Sequence, residues 1–114
     1  MLYKDNMSKR ELRHDLVLKA LANLKRRQML DLLKDKPRTT GEMCDRFPDL
    51  DRCTVMLHLN VLLDADLIIV KREGRNRWNY INPLPIKDLY DRWISGYSSG
   101  ALEMLARMKQ EIEK

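Results

Sequence analysis

The sequence predicts a mainly α fold with one small β-hairpin. Three observations lead there. Two helical patterns flank a Pro-Asp turn between Thr39 and Ala65, a β-branched and aromatic run folds about Glu73-Gly74-Arg75-Asn76, and amphipathic spacing marks both ends of the chain. That order of parts is a winged helix-turn-helix with N-terminal and C-terminal helices left over for dimerisation, and it points at duplex DNA.

The elements follow in order. Ser8 caps a helix over 9–22 with an apolar face of Leu12, Leu16, Ala20 and Leu21. Asn23 caps a second over 24–35, with Leu24, Met29, Leu30 and Leu33 inward and Arg26 and Arg27 in its first turn; Lys36-Pro37 ends it. Thr39 and Glu42 form a capping box for a short helix over 40–47. Pro48, Asp49 and Asp51 make the turn, and Asp51 caps the next helix, 52–65. Its apolar stripe is Val55, Leu59, Leu62 and Leu63; Cys53, Thr54, Leu57 and Val61 lie opposite, with His58 and Asn60 on the flanks. Asp66 leaves the helix in a left-handed conformation. Wing strands are expected at 67–72 and 77–81. Trp78 and Tyr80 share a strand face suited to packing. After Pro83 and Pro85, helical segments are expected at 86–95, with Leu89 and Trp93, and at 101–113, with Leu102, Leu105, Met108 and Ile112; Gly96, Ser98, Ser99 and Gly100 interrupt them.

The 114 residues, 44% hydrophobic and 34% charged, suit one globular domain over 1–114. No apolar run approaches the roughly 20 residues that span a bilayer, and Met1 to Asn6 lacks the apolar stretch of a secretory signal, so no membrane partner and a cytoplasmic location are expected. Cys44 and Cys53 stand on different helices across the turn, where a bridge would distort the motif; reduced thiols are expected. The net charge of +5 is uneven: residues 1–36 carry +5, 37–66 carry −3, 67–82 carry +3 and 83–114 none. Phosphate attraction must therefore come from the wing and the N-terminal half.

The string Ala20-Leu21-Ala22-Asn23-Leu24-Lys25-Arg26-Arg27-Gln28-Met29-Leu30-Asp31-Leu32-Leu33 resembles the "ALADPTRRxILxLL" opening of ArsR-type winged-helix repressors. The likeness continues through Gly41-Glu42-Met43, His58-Leu59, Leu62, Ala65, Leu67, Glu73-Gly74-Arg75, Trp78, Tyr80 and Arg92-Trp93, and so spans Leu18 to the C-terminus. It implies a homodimeric transcriptional repressor, often released from its operator by a metal ion or another signal.

Three departures from the family pattern matter. Metal sensing there uses a Cys-x-Cys pair or C-terminal Asp and His ligands, whereas Cys44 stands alone and no His or Cys follows His58. No metal or cofactor is expected, and Cys44 reads as a small packed residue. Met56 and Leu57 replace the family's frequent Ser and Arg on the recognition helix, and Asp66 its usual Gly. Base and phosphate contacts then fall to Arg52, Thr54 and His58 beside Cys53, Met56 and Leu57, with Leu57 placed for a thymine methyl. His58 is read as neutral and positional. The wing adds Lys71, Arg72, Arg75, Asn76 and Arg77.

The expected dimer interface is Leu12, Leu16, Leu89, Trp93, Leu102, Leu105, Met108 and Ile112, because a late amphipathic helix has little core left to cover in so small a domain. Packing back onto the first helix is the alternative. The partners are thus double-stranded DNA and a second copy, with any small-molecule or redox effector unknown. A rival class is a winged-helix protein-interaction module, suggested by the acidic 37–66 segment, Leu57 and Val61. Oxidation of a DNA-facing Cys53 is a further control open to the chain. An enzyme is not expected: the chain has no Gly-rich phosphate loop and no nucleophile elbow, and His14-Asp15 reads as solvated helix surface.

Overall fold

The computed structural model describes residues 8–113, and the reading of Met1 to Asn6 lies outside them. Helix α1 (Lys9–Leu21) starts where the Ser8 hydroxyl accepts the Glu11 amide, and α2 (Leu24–Asp35) where the Asn23 side chain accepts the Arg26 amide. Lys36, ahead of Pro37, is extended and ends α2. Thr39 opens α3 (Thr40–Arg46) and Asp51 opens α4 (Arg52–Asp64), each by accepting an amide three residues on. Only the hydroxyl half of the Thr39 box is made, since Thr39 also belongs to a strand.

That strand is absent from the sequence reading. β1 (Arg38–Thr39) pairs antiparallel with β3 (Asn76–Ile81), which pairs with β2 (Ile68–Glu73), giving the order β1-β3-β2. Two residues contain no alternation to detect. The wing tip is also tighter than expected. Glu73 pairs with Asn76, so the loop is Gly74-Arg75 alone, and Gly74 takes φ 61 while Arg75 does not leave the negative region. Glycine first is the arrangement of a type II′ turn, whose twist matches that of the strands.

The exit from α4 is left-handed as expected, with Asp66 at φ 61. Its amide donates to the Leu63 carbonyl and that of Leu67 to Leu62, both at 2.9 Å, which closes the helix and starts the wing. Asn82 donates to the Asp66 carbonyl at 2.8 Å and pins the same turn from the far end of the hairpin. Because a Cβ is strained here, Asp66→Gly is expected to raise stability by about 0.5–1 kcal/mol, read by urea denaturation; a destabilised variant would contradict this.

The core joins Val17 and Ala20 of α1, Met29, Leu30 and Leu33 of α2, Met43 and Phe47, Val55, Leu59 and Leu62 of α4, and Leu67 and Ile68. Three residues expected in it are corrected. Leu16, Leu24 and Leu63 are exposed, and the inward line of α1 is His14, Val17 and Ala20. His14 is therefore not solvated surface. It can be buried because Asp88 of α5 (Leu84–Trp93) lies 2.7 Å from its Nε2, and Arg10 forks onto the same carboxylate at 3.0 and 3.1 Å.

The Arg10 hydrogen bond first, and that of His14 second, hold Asp88 below its ordinary pKa of 3.8. A depressed carboxylate adds stability that is present above the ordinary value and lost as pH falls through it into the lowered range. Asp88→Asn is accordingly expected to melt below the native chain at pH 7, with the gap narrowing as pH falls below the ordinary carboxylate range. A gap that persisted unchanged in acid, followed by circular dichroism, would contradict the pairing.

Pro83 is the N-cap of α5 and Pro85 lies in its first turn, where a missing N–H costs nothing, so α5 begins two residues earlier than expected. Ser98 caps α6 (Ser99–Ile112), which places Ser99 and Gly100 inside a helix rather than at its break. α6 buries no residue, and among the described residues it has no extensive packing against another element. No described helix is long and apolar enough to cross a membrane.

Candidate nucleic-acid interface

With Val55, Leu59 and Leu62 turned into the core, the helical period leaves Cys53, Leu57, Asn60 and Asp64 along the outer crest of α4. Leu57 is 61% exposed there. Asn60, placed on a flank by the sequence reading, belongs to this exposed crest, and its carboxamide is chemically suited to an adenine edge. Asp64 at the end of the crest repels phosphate, which favours the N-terminal part of the helix as the part that approaches a duplex. Val61 is corrected too: it packs partly against the core, as does Met56.

The two flanks of α4 differ. On one side Arg52 and Met56 meet Thr39, Thr40 and Gly41 and the wing residues Arg72, Arg75, Asn76 and Arg77 around a cleft of about 290 Å³. Four guanidinium groups therefore border one small cleft. Arg77 Nε is buried and has no acceptor among the described residues. Lys71 is exposed but paired with Glu73 at 3.2 Å, so it offers less free charge than expected. The N-terminus of α4 is already occupied by an anion: the Thr54 amide, donating at 2.7 Å, keeps Asp51 ionised below the usual carboxylate range. Any attraction for phosphate on this side must come from the arginines.

On the other flank, by helical period, stand half-buried Thr54, His58 and Val61, of which His58 meets α2. Arg26 approaches His58 Nδ1 at 3.1 Å while its other nitrogens donate to the carbonyls of Ala20 and Lys19 at 2.8 and 3.0 Å. Burial first, and the Arg26 charge second, push the His58 pKa down, which keeps the ring neutral.

Cys53 is an exposed free thiol, and Cys44 is half-buried against the core. Among the described residues no three His, Cys, Asp or Glu side chains converge in a way that would hold a metal ion. The larger groove of about 620 Å³, lined by Lys25, Arg38, Phe47 and Asp49 among others, contains none of the expected contact residues. Two of its three cations, Lys25 and Arg38, are already paired, with Asp49 and Asp35, while the third is Arg46.

The expected interface residues fall into two groups. Leu12 and Leu89 are half-buried, Leu89 against the protomer's own core. Leu16, Trp93, Leu102, Leu105, Met108 and Ile112 are exposed.

A profile of the helix-turn-helix domain matches residues 21–71. The chain is 32% identical over 84 residues to the transcriptional repressor SdpR of Bacillus subtilis, covering 74% of this chain and 92% of that protein. A solved ArsR family transcriptional regulator superposes with a TM-score of 0.68 at 25% identity, covering 95% of this chain and 98% of the other. The chain belongs to the ArsR-type winged helix-turn-helix regulators. Among other members, HlyU from Vibrio cholerae superposes at a TM-score of 0.60 with 25% identity, over 76% of this chain and 98% of HlyU. ArsR-type regulators are DNA-binding transcriptional regulators, which is not an enzyme class, and this chain is one of them.

Proposed function

We propose that this ArsR-type regulator is a homodimeric, cytoplasmic repressor that reads a palindromic operator with α4 and grips the flanking phosphates with its wing. The observation that carries this reading is the cleft between α4 and the wing tip, which Arg52, Arg72, Arg75 and Arg77 all line, so that four cationic side chains border one site suited to a phosphate. Thr54, His58 and Asn76 flank the contact, and Cys53, Met56 and Leu57 present an apolar surface suited to thymine methyl groups. Dimerisation is supported by the apolar line Leu102, Leu105, Met108 and Ile112, all exposed on a helix with no buried residue. The radius of gyration, 17.7 Å, exceeds the roughly 13 Å of a compact domain of this length.

Arg75→Ala is expected to weaken binding to all duplexes and to flatten the dependence on salt, by about 0.9 log units per log unit of salt for each phosphate that is no longer neutralised. Fluorescence anisotropy across a salt series reads both quantities. Affinity indifferent to ionic strength would contradict the proposal.

A second reading, a winged-helix module that binds a protein instead of an operator, is favoured by one observation, the exposure of Leu57 on a crest that carries no cation. Gel shift against genomic fragments at low salt separates them. A retarded band supports the operator reading, and its absence supports the module.

A further inference from the structure

The contact between Arg26 and His58 joins the start of α2 to the recognition helix across 32 residues of sequence. A guanidinium has donors and no acceptor. Nδ1 of His58 must therefore accept, and the proton of the neutral ring sits on Nε2. Among the described residues Nε2 has no hydrogen-bond partner, and it is not one of the buried unpartnered atoms, so it is open to an external acceptor. Arg26 is itself immobilised by the carbonyls of Lys19 and Ala20 at the end of α1, which leaves His58 little freedom to turn.

We infer that Arg26 is a positioning residue of the DNA interface, fixing His58 as the tautomer whose single N–H, on Nε2, donates to a phosphate oxygen of the bound duplex. The flank position of His58, off the crest formed by Cys53, Leu57 and Asn60, places it toward a groove wall rather than the groove floor, so a phosphate suits it better than a base. It is a neutral donor opposite the arginine cleft: the two flanks of α4 would hold the two walls of the groove by different means, one charged and one not. This inference rests on the operator reading above for its acceptor, but not for its tautomer.

Nitrogen-15 NMR of the native protein at pH 7.5 tests the tautomer without DNA. A ring protonated on Nε2 alone is expected; an Nδ1–H form or an even mixture overturns the inference. On duplex DNA, His58→Phe is expected to lose about tenfold in affinity with the salt slope unchanged, because no charge is removed, while His58→Gln retains most of the binding. Full affinity in His58→Phe, or a loss accompanied by a shallower slope, overturns it. Arg26→Met should lose a similar factor, and the double variant no more than either alone. Independent, multiplying losses would mean that Arg26 serves α1 only and would overturn its positioning role. Should the native protein bind no duplex at all, the phosphate acceptor and the operator reading fall together while the NMR result stands apart.

Discussion

Leu105→Glu in α6 is expected to convert a dimer into a monomer and to lower affinity for a two-fold operator by about 10²- to 10³-fold. The substitution places a charge in the middle of the apolar line from Leu102 to Ile112, all of which is open to solvent in the single protomer. Nothing in the protomer's core depends on it, since α6 buries none of its residues, so circular dichroism and the main unfolding transition should change little. The binding loss follows from linkage of two reading heads: once one head is seated, the second binds at an effective local concentration, and separating the heads forfeits that gain. A further consequence is that the monomer should still bind a single half-site weakly. Sedimentation equilibrium and gel shift together decide the matter. A variant that remains dimeric, or a native chain that sediments as a monomer, would falsify the assignment of α6 to the interface.

Asn79→Ala is expected to cost about 2–3 kcal/mol of stability. Asn79 lies at the centre of β3, is fully buried, and donates from Nδ2 to the Arg38 carbonyl and to the Thr40 hydroxyl, each at 3.2 Å. Those two bonds fasten the wing to the segment that opens α3. Truncation leaves the Arg38 carbonyl without this donor and opens a void, and both effects destabilise. One effect opposes them: Asn79 Oδ1 is buried without a partner, and removing it relieves that cost. Loss of the two bonds and the new void together outweigh the single relief. Urea unfolding at neutral pH measures the balance, and a loss below about 0.5 kcal/mol would mean that the unpaired oxygen dominates. DNA affinity should fall as well at temperatures where the variant is still folded, because the arginine cleft is shared between α4 and the strand that Asn79 anchors.

Much of the fold is legible in the residue string. The caps at Ser8, Asn23, Thr39 and Asp51 are formed as expected, because an N-cap is a contact between residues two or three apart and any chain that carries the pair can make it. The left-handed Asp66 and the Gly74 turn are local in the same sense. Apolar periodicity finds the inward faces of α2 and α4 apart from Leu24 and Leu63. On α1 it finds Ala20 and Leu21 but misses His14 and Val17 and wrongly turns Leu16 inward.

The sequence alone thus determined the order of helices and strands, the punctuation between them and the basic character of the wing. The tertiary structure alone decided that His14 is buried, that Arg38–Thr39 forms a third strand, that Asn79 sits in the core, that Asn60 lies on the crest of α4 and that Arg26 holds His58. The pairs behind His14, Asn79 and His58 are separated by 74, 41 and 32 residues. The physical reason is one of range. Capping, turn formation and hydrophobic periodicity act within a few residues and leave a trace in the string. A polar side chain becomes a core residue only when folding brings it a partner, and the partner's distance along the chain carries no signal.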